Sequence, residues 1–407
     1  VFDNKKDQKQ AIKDKKLLKP NGKLVSDSLS LWAEFSGKDL DKEKRRALIE
    51  DFLKGATGKL FDITYKGNAS RVVQTAFKFG TAPQRKVIFE ELKGMPPNSA
   101  HEYSPTDHIL EITKDIHARY VVKSMLKYGI QEQKKFILSK FTGHVTKLMK
   151  HQGAAFILEY AFVNTCDKAQ KRAMIAEFYN ESYGISTFAT NKTLKEILEA
   201  TPEKKDAIMA FMGDRLIPIL NKAQDTNLLV HTLFHTPLRE YIENANPKAK
   251  SDIIGLLKDH VPRILHSKDG AIAAIYAISY SNAKDRKAIL KSLRGVGTGG
   301  AVASNETFVS LVIRACCEEY GHLAILKVLD CIDDTKQVLA LIVSEMRKHL
   351  LHLSCDRIGR LSILQILSPR SKIYLSQFAQ QLLEPREDES KKDPAVRHME
   401  LLQSLLP

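Results

Sequence analysis

The chain has 407 residues, 43% of them apolar, with 14 prolines and a formal net charge of +15. The apolar content suits a large buried core, and without a run of about 18 apolar residues no membrane span is expected. The five cysteines (Cys166, Cys316, Cys317, Cys331, Cys355) are odd in number and lack zinc spacing, so they read as reduced, buried thiols of a cytosolic or nuclear protein.

No signal peptide is visible, and because the chain starts at Val1, an upstream segment is expected to have been removed. Residues 1–29, which carry "DNKKDQKQAIKDKKLLKPNGK" at 3–23, read as a flexible basic arm. Beyond it a segment recurs without copying itself. "NASRVVQTAFKFGTAPQRKVIFEEL" (68–92) returns as "HARYVVKSMLKYGIQEQKKFILSKF" (117–141) and as "GAAFILEYAFVNTCDKAQKRAMIAEF" (153–178). With the first copy registered on Ser70, the matching positions are Arg119, Ala155, Asn227, Ala271, His322 and Arg360. The widest gap is 72 residues, twice the 36 that separate Arg119 from Ala155, and a degenerate copy is expected within it near 191–198.

Each copy carries apolar pairs four residues apart: Val72, Val73, Ala76 and Phe77, then Val121, Val122, Met125 and Leu126, then Ile157, Leu158, Ala161 and Phe162. The fourth copy gives Leu229, Val230, Leu233 and Phe234. This spacing is helical and not the alternation of a strand. A second polar-to-apolar switch follows at Gln84-Arg85, Gln133-Lys134, Gln170-Lys171, Asp285-Arg286 and Thr335-Lys336, so each unit reads as two helices joined by a short turn. One hairpin cannot bury its apolar face alone; stacked neighbours supply the missing wall. The expected fold is an all-α solenoid, with one repeat array over 30–260 and a second over 261–407 that ends in capping helices. Two long departures from the period, 94–108 and 295–306, are expected loops or bends. The charge-dense stretch 384–400 reads as a solvated loop before a last short helix.

The charge is uneven. Residues 1–200 carry 35 Lys/Arg against 24 Asp/Glu, and residues 201–407 carry 28 against 24. The densest window, 119–150, holds Arg119, Lys123, Lys127, Lys134, Lys135, Lys140, Lys147 and Lys150 against Glu132 alone. Repeats set equivalent faces side by side, so such charge adds along the array and attracts a polyanion, of which nucleic acid is the commonest long one.

The recurring helix resembles the second helix of Pumilio-homology (PUF) repeats, whose five-residue signature reads a base edge with its first and fifth residues and stacks on bases with its second. "SRVVQ" matches in full: Ser70 and Gln74 at the edge positions and Arg71 at the stacking position, a pair that the resemblance assigns to adenine. A Gln amide offers one donor and one acceptor to a base edge, and an Arg plane can stack on a base. "RYVVK" keeps Tyr120 for stacking but has Arg119 and Lys123 at the edge, donors that suit phosphate, with Lys127 continuing one basic stripe. "AFILE" keeps Phe156 and Glu159, and "NLLVH" keeps Asn227 and His231. In the last three copies the fifth position is apolar (Ile275, Leu326, Leu364) and is expected to pack internally or to dock a protein. One intact triplet cannot encode a site, so sequence-tolerant, salt-dependent binding follows.

"CIDDTK" (331–336), "ILSPR" (366–370), "HSKDGA" (266–271), "YGHL" (320–323), "FTGHVTKLMKH" (141–151) and "ILEYAF" (157–162) resemble the divergent nucleolar Puf-A branch of that family. The resemblance implies an L-shaped α-solenoid that binds RNA or DNA with little sequence preference and acts in ribosome biogenesis and pre-rRNA processing, in the nucleolus or nucleus. It also implies a monomer with pre-ribosomal or nuclear protein partners. A sequence-specific mRNA regulator and a pure protein scaffold are the alternatives. No catalytic, metal or cofactor site is expected. "RGVGTGG" (294–300) lacks the Lys-Ser/Thr of a phosphate loop, and "HTLFH" (231–235) lacks the Glu and third ligand of a zinc protease.

Overall fold

The computed structural model describes residues 21–37, 39–94, 105–180, 192–224, 226–295, 310–386 and 389–405. Most of the basic arm, the core of both long loops and Asn191 of the degenerate copy lie outside the described residues. Among the described residues every regular element is helical, and no helix is long and apolar enough to cross a membrane.

The chain divides into two compact units, Val1–Lys171 and Arg172–Pro407. The N-terminal unit contains α1 (Gly22–Phe35), α2 (Lys42–Ala56), α3 (Leu60–Thr64), α4 (Gly67–Phe79), α5 (Ala82–Lys93), α6 (Pro105–Lys114), α7 (Arg119–Tyr128), α8 (Gln131–Phe141), α9 (Val145–Met149) and α10 (Gln152–Asn164), and the boundary falls within α11 (Lys168–Ala176). The C-terminal unit contains α12 (Leu194–Ala200), α13 (Lys205–Asn221), α14 (Thr232–Asn244), α15 (Pro247–Leu257), α16 (Lys268–Tyr280), α17 (Ala283–Arg294), α18 (Leu311–Cys317) and α19 (Gly321–Cys331). It continues with α20 (Thr335–Val338), a π-helical stretch Leu339–Val343, α21 (Ser344–Lys348), α22 (Leu350–Cys355), α23 (Gly359–Leu367), α24 (Gln377–Leu383) and α25 (Pro394–Leu405).

The repeat is therefore three helices rather than two. A short first helix such as α3 or α9 precedes the recurring middle helix, and a third helix follows it. Middle helices pack in sequence, α1 on α4 on α7 on α10 in one unit and α14 on α16 on α19 on α23 in the other. Their apolar pairs form the walls: Val72, Val73, Ala76 and Phe77 are all fully buried, as are Val121 and Val122. The expected α-solenoid is present in each unit.

The polar switch between middle and third helices has a structural cause. Thr81 caps α5, and the Gln84 side chain closes the capping box by accepting from the Thr81 N–H. Gln84 also reaches back to the preceding third helix, donating to Arg46 O and to Glu50 Oε2, both at 3.0 Å. The basic residue after it returns to the end of its own middle helix. Arg85 donates to Phe77 O and Lys78 O at 2.8 and 2.9 Å, and to Tyr128 O at the end of the next middle helix at 2.8 Å. Arg286 repeats the pattern on Ile278 O, Ser279 O and Cys331 O, while Arg45 reaches Phe35 O and Lys250 reaches Glu243 O. A cation at a helix C-terminus satisfies orphan carbonyls and opposes the helix dipole. Part of the chain's positive charge is thus committed to joining repeats.

The cysteines are free, as expected; Cys316 and Cys331 are buried, but Cys355 is exposed, against the expectation that all five lie inside.

Candidate nucleic-acid interface

On each middle helix the second and fifth signature positions share one stripe with the residues one turn further on. In the N-terminal unit α4 presents Arg71, Gln74 and Lys78, α7 presents Tyr120, Lys123 and Lys127, and α10 presents Phe156, Glu159 and Tyr160. Ser70 does not join them. It is 2% exposed; its hydroxyl donates to Gly67 O at 2.9 Å and accepts from Gln74 Nε2 at 3.2 Å. The first residue of the matched signature thus orients Gln74 rather than meeting a ligand, because its short side chain points into the packed helix start.

The α7–α10 pair carries the densest grouping. Tyr120 and Phe156 meet edge to face with centroids 6.0 Å apart. The Arg119 guanidinium lies 5.1 Å from the Tyr120 ring. Lys123 Nζ lies 4.6 Å from Phe156 and 5.1 Å from Tyr160. Two stacking positions and two cationic edge positions therefore converge, with the cations held over ring faces. Lys127 is exposed beside Tyr128.

The remaining basic residues of 119–150 do not extend this stripe. Lys134, Lys135 and Lys140 belong to the third helix α8, where Lys140 Nζ sits 4.9 Å from Phe136 and Phe136 packs against Phe89 of α5. Lys147 is exposed on the first helix α9, and Lys150 follows its end. The window splits among three helices because its run of lysines is longer than one helix.

Asn227 and His231 need a larger correction. Asn227 precedes a 3-10 turn, Leu228–Val230, and His231 is the extended residue that caps α14. Counting back from the helix end as in the other repeats, the signature positions of α14 are His235, Thr236 and Arg239, and His235 lies 36 residues before Ala271, the spacing that separates Arg119 from Ala155. Two apolar sets of equal spacing overlap here, and Pro237 inside the helix hides the second. His235 is fully buried between Ser267 Oγ (2.6 Å) and Leu229 O (2.7 Å), and burial drives its pKa down to about 3. Both ring nitrogens of His235 are thus engaged within the protein. Arg239 is held by Asp269 (2.9 Å) and Glu243 (3.1 Å), and Thr236 donates to Asp269.

Further along the C-terminal unit, Ile272, Ile275, Leu323 and Leu326 are all buried, so these apolar signature positions pack internally, whereas Leu361 and Leu364 of the last copy are half-buried. The tail is solvated only in part, with Glu384, Lys391 and Asp393 exposed but two of its charged residues inside. Lys327 and Glu389 form a buried pair with Nζ 2.8 and 2.9 Å from the two carboxylate oxygens, and Arg397 is buried against Asp330 and Asp333. Trp32 escaped the sequence reading. Its indole N–H donates to Thr75 Oγ1 at 2.9 Å, and Thr75 lies one turn from Arg71. The sole tryptophan of a helix with no recognisable signature gave no positional signal.

Comparisons with known proteins agree with this geometry. The model of the Pumilio-family RNA binding repeat matches residues 68–93 and 108–141, the α4–α5 and α7–α8 pairs, and that of the CPL (NUC119) domain matches 355–407. Pumilio homolog 3 of Rattus norvegicus is 32% identical over 410 residues, covering all of this chain, which spans 59% of that relative's length. The crystal structure of human Puf-A superposes with a TM-score of 0.81 at 31% identity, covering 94% of this chain and 69% of that one. The crystal structure of human Puf-A in complex with DNA gives a TM-score of 0.80 at 31% identity, covering 95% and 71%. The chain thus belongs to the Pumilio-homology (PUF) repeat family, as a divergent member of the Puf-A type.

Proposed function

We propose that the middle-helix stripe of the N-terminal unit binds RNA, and DNA as well, with little sequence preference. We place this binding on pre-rRNA during nucleolar ribosome biogenesis, by a monomeric chain working beside pre-ribosomal proteins. The observation that carries the binding is the convergence of Arg119, Tyr120, Lys123, Phe156 and Tyr160 on α7 and α10. Aromatic faces stack on any base, and cations held over them at the stripe meet the phosphates between bases. The DNA bound to human Puf-A supports the ligand class. Gln74 retains a base-edge reader oriented by its neighbour, and one such reader is too little for a sequence-specific mRNA regulator.

The test is a salt titration with a single-stranded RNA, a double-stranded RNA and a double-stranded DNA, each in two unrelated sequences. Similar affinities with a steep salt slope are expected. Lys123→Glu with Lys127→Glu should weaken all of them alike and lower the slope by roughly 1–2 units, at about 0.7–0.9 per phosphate contact. Unchanged affinity in that variant would remove the stripe from consideration. One sequence bound far more tightly with a shallow slope would favour the mRNA regulator. The nucleolar assignment is checked separately by imaging the tagged full-length protein in cells and by measuring pre-rRNA intermediates after its depletion.

A further inference from the structure

The C-terminal unit supplies its own occupant for the stripe. Between α23 and α25 the chain leaves the repeat and runs back across α16 and α19. Phe378 of α24 meets the ammonium of Lys268 at 4.6 Å. The Arg386 guanidinium lies 4.5 Å from the Tyr276 ring and 4.4 Å from the Tyr280 ring. Lys327 Nζ sits 3.5 Å from the carbonyls of Leu383 and Glu384 and forms the buried pair with Glu389. Arg286, already tying two middle helices together, donates to Glu389 O at 2.7 Å.

Both ends of the excursion are fixed. At its start Arg370 donates to Asp330 at 2.9 Å. At its end Asp333 accepts from Ser390 Oγ and from the N–H groups of Lys391 and Lys392, and Arg397 closes over it. Burial would raise the Asp333 pKa, but these donors outweigh it and bring it to about 2. Arg370 itself has a left-handed φ of 54°, which only an overdetermined turn keeps in a non-glycine residue.

Lys268, Ile272, Ile275 and Tyr276 follow one another on one face of α16, and Leu323, Leu326 and Lys327 do so on α19. Ile272, Ile275 and Tyr276, like Leu323, Leu326 and Lys327, hold the same helical positions as Arg71, Gln74 and Thr75 on α4, and Lys268 stands one turn before them. The excursion places a planar cation on two rings one and two turns beyond the stacking position Ile272, and a carboxylate on a lysine one turn beyond the stacking position Leu323, as a base and a phosphate would be held. We infer that this return segment is a permanent intramolecular substitute for nucleic acid, which closes the C-terminal stripe and confines the nucleic-acid footprint to α4, α7 and α10. Lifting it would strip the buried Lys327 of its counter-charge and Arg286 of the Glu389 carbonyl, so it is a seal rather than a gate.

The inference deepens the proposed function and rests on it for the footprint alone. The test is photo-cross-linking of the whole chain to a 4-thiouridine-substituted 30-nucleotide RNA with peptide mapping, together with amide hydrogen exchange. Cross-links should map to α4, α7 and α10, with none on Tyr276 or Tyr280. Amides of α24 should exchange as slowly as those of α19, with or without RNA, and at least tenfold faster in Glu389→Gln, a variant of conserved shape. A wild-type cross-link at Tyr276 or Tyr280 would overturn the footprint. Fast exchange of α24 in the wild type would overturn the seal. If no cross-link forms anywhere, the nucleic-acid reading falls, and the exchange data still decide the seal.

Discussion

At the fifth signature position the N-terminal unit carries Gln74, Lys123 and Glu159, whereas the C-terminal unit carries Arg239, Ile275 and Leu326. The first three are half-buried on a stripe shared with Arg71, Tyr120 and Phe156. Of the second three, Arg239 is neutralised by acids of its own and the next helix, and the two apolar residues are buried. Both units share one backbone repeat: an extended residue ends α4 and α7 in one and α14, α16 and α19 in the other, and Arg85 and Arg286 return from third helices to the carbonyls of the middle helix before them. The difference teaches that in a repeat array the binding face is set by what covers it. Polar and aromatic side chains stay where nothing else of the chain arrives, and apolar ones accumulate where another segment does.

The contrast predicts unequal costs for equivalent substitutions. Glu389→Ala leaves Lys327 charged and unpaired in the C-terminal core and should destabilise that unit by about 3–5 kcal/mol, measured by denaturant unfolding. Arg71→Ala, at the exposed equivalent stripe, should change stability by no more than about 0.5 kcal/mol. Comparable losses would mean that the two stripes are covered alike.

The α14 stripe, where acids surround Arg239, should show a pH signature. Burial pushes the Glu240 carboxyl up to about 7, against the Tyr179 hydroxyl (2.6 Å) and the Arg239 guanidinium, which pull it down. A carboxyl whose pKa is raised on folding binds its proton more tightly in the folded state. Stability therefore falls as pH rises from about 4.5 through 7. Glu240→Gln keeps an acceptor for Tyr179 and should raise stability at pH 8 by about 1–3 kcal/mol, with the gain gone near pH 4.5. A gain of equal size at both pH values would remove the titration argument.

Tyr120→Ala and Phe156→Ala should each weaken single-stranded RNA binding by about 1–3 kcal/mol per base lost, whatever the sequence, with melting little changed for Tyr120→Ala. Tyr276→Ala should leave binding unchanged while loosening Arg386. Gln74→Ala should have the smallest effect, below about 1 kcal/mol and confined to RNAs that place adenine on α4. Trp32, half-buried beside Thr75, offers a fluorescence readout on the same stripe.

Much of this was legible in the residues. The apolar pairs fixed the middle helices and their order, since a period of 3.6 with one buried face admits little else. The Tyr120, Lys123 and Phe156 positions followed from that register. The chemistry of the apolar copies, Ile275 and Leu326, already said that something must lie against them. Three things depended on tertiary structure. Ser70 matches the signature in type, but its hydroxyl is taken by the Gly67 carbonyl, a contact within one turn that no motif records. The register of α14 depended on which of two equally spaced apolar sets found a neighbour to pack on. The return segment was unreadable because its charges look solvated in sequence; Glu389 and Arg397 become interior groups, and Arg386 a half-buried one, only when Lys327, Asp333 and Tyr276, distant in the chain, provide their partners. Local periodicity determines helices because it acts within a few turns, whereas the pairing of buried charges is settled between segments that only the completed fold brings together.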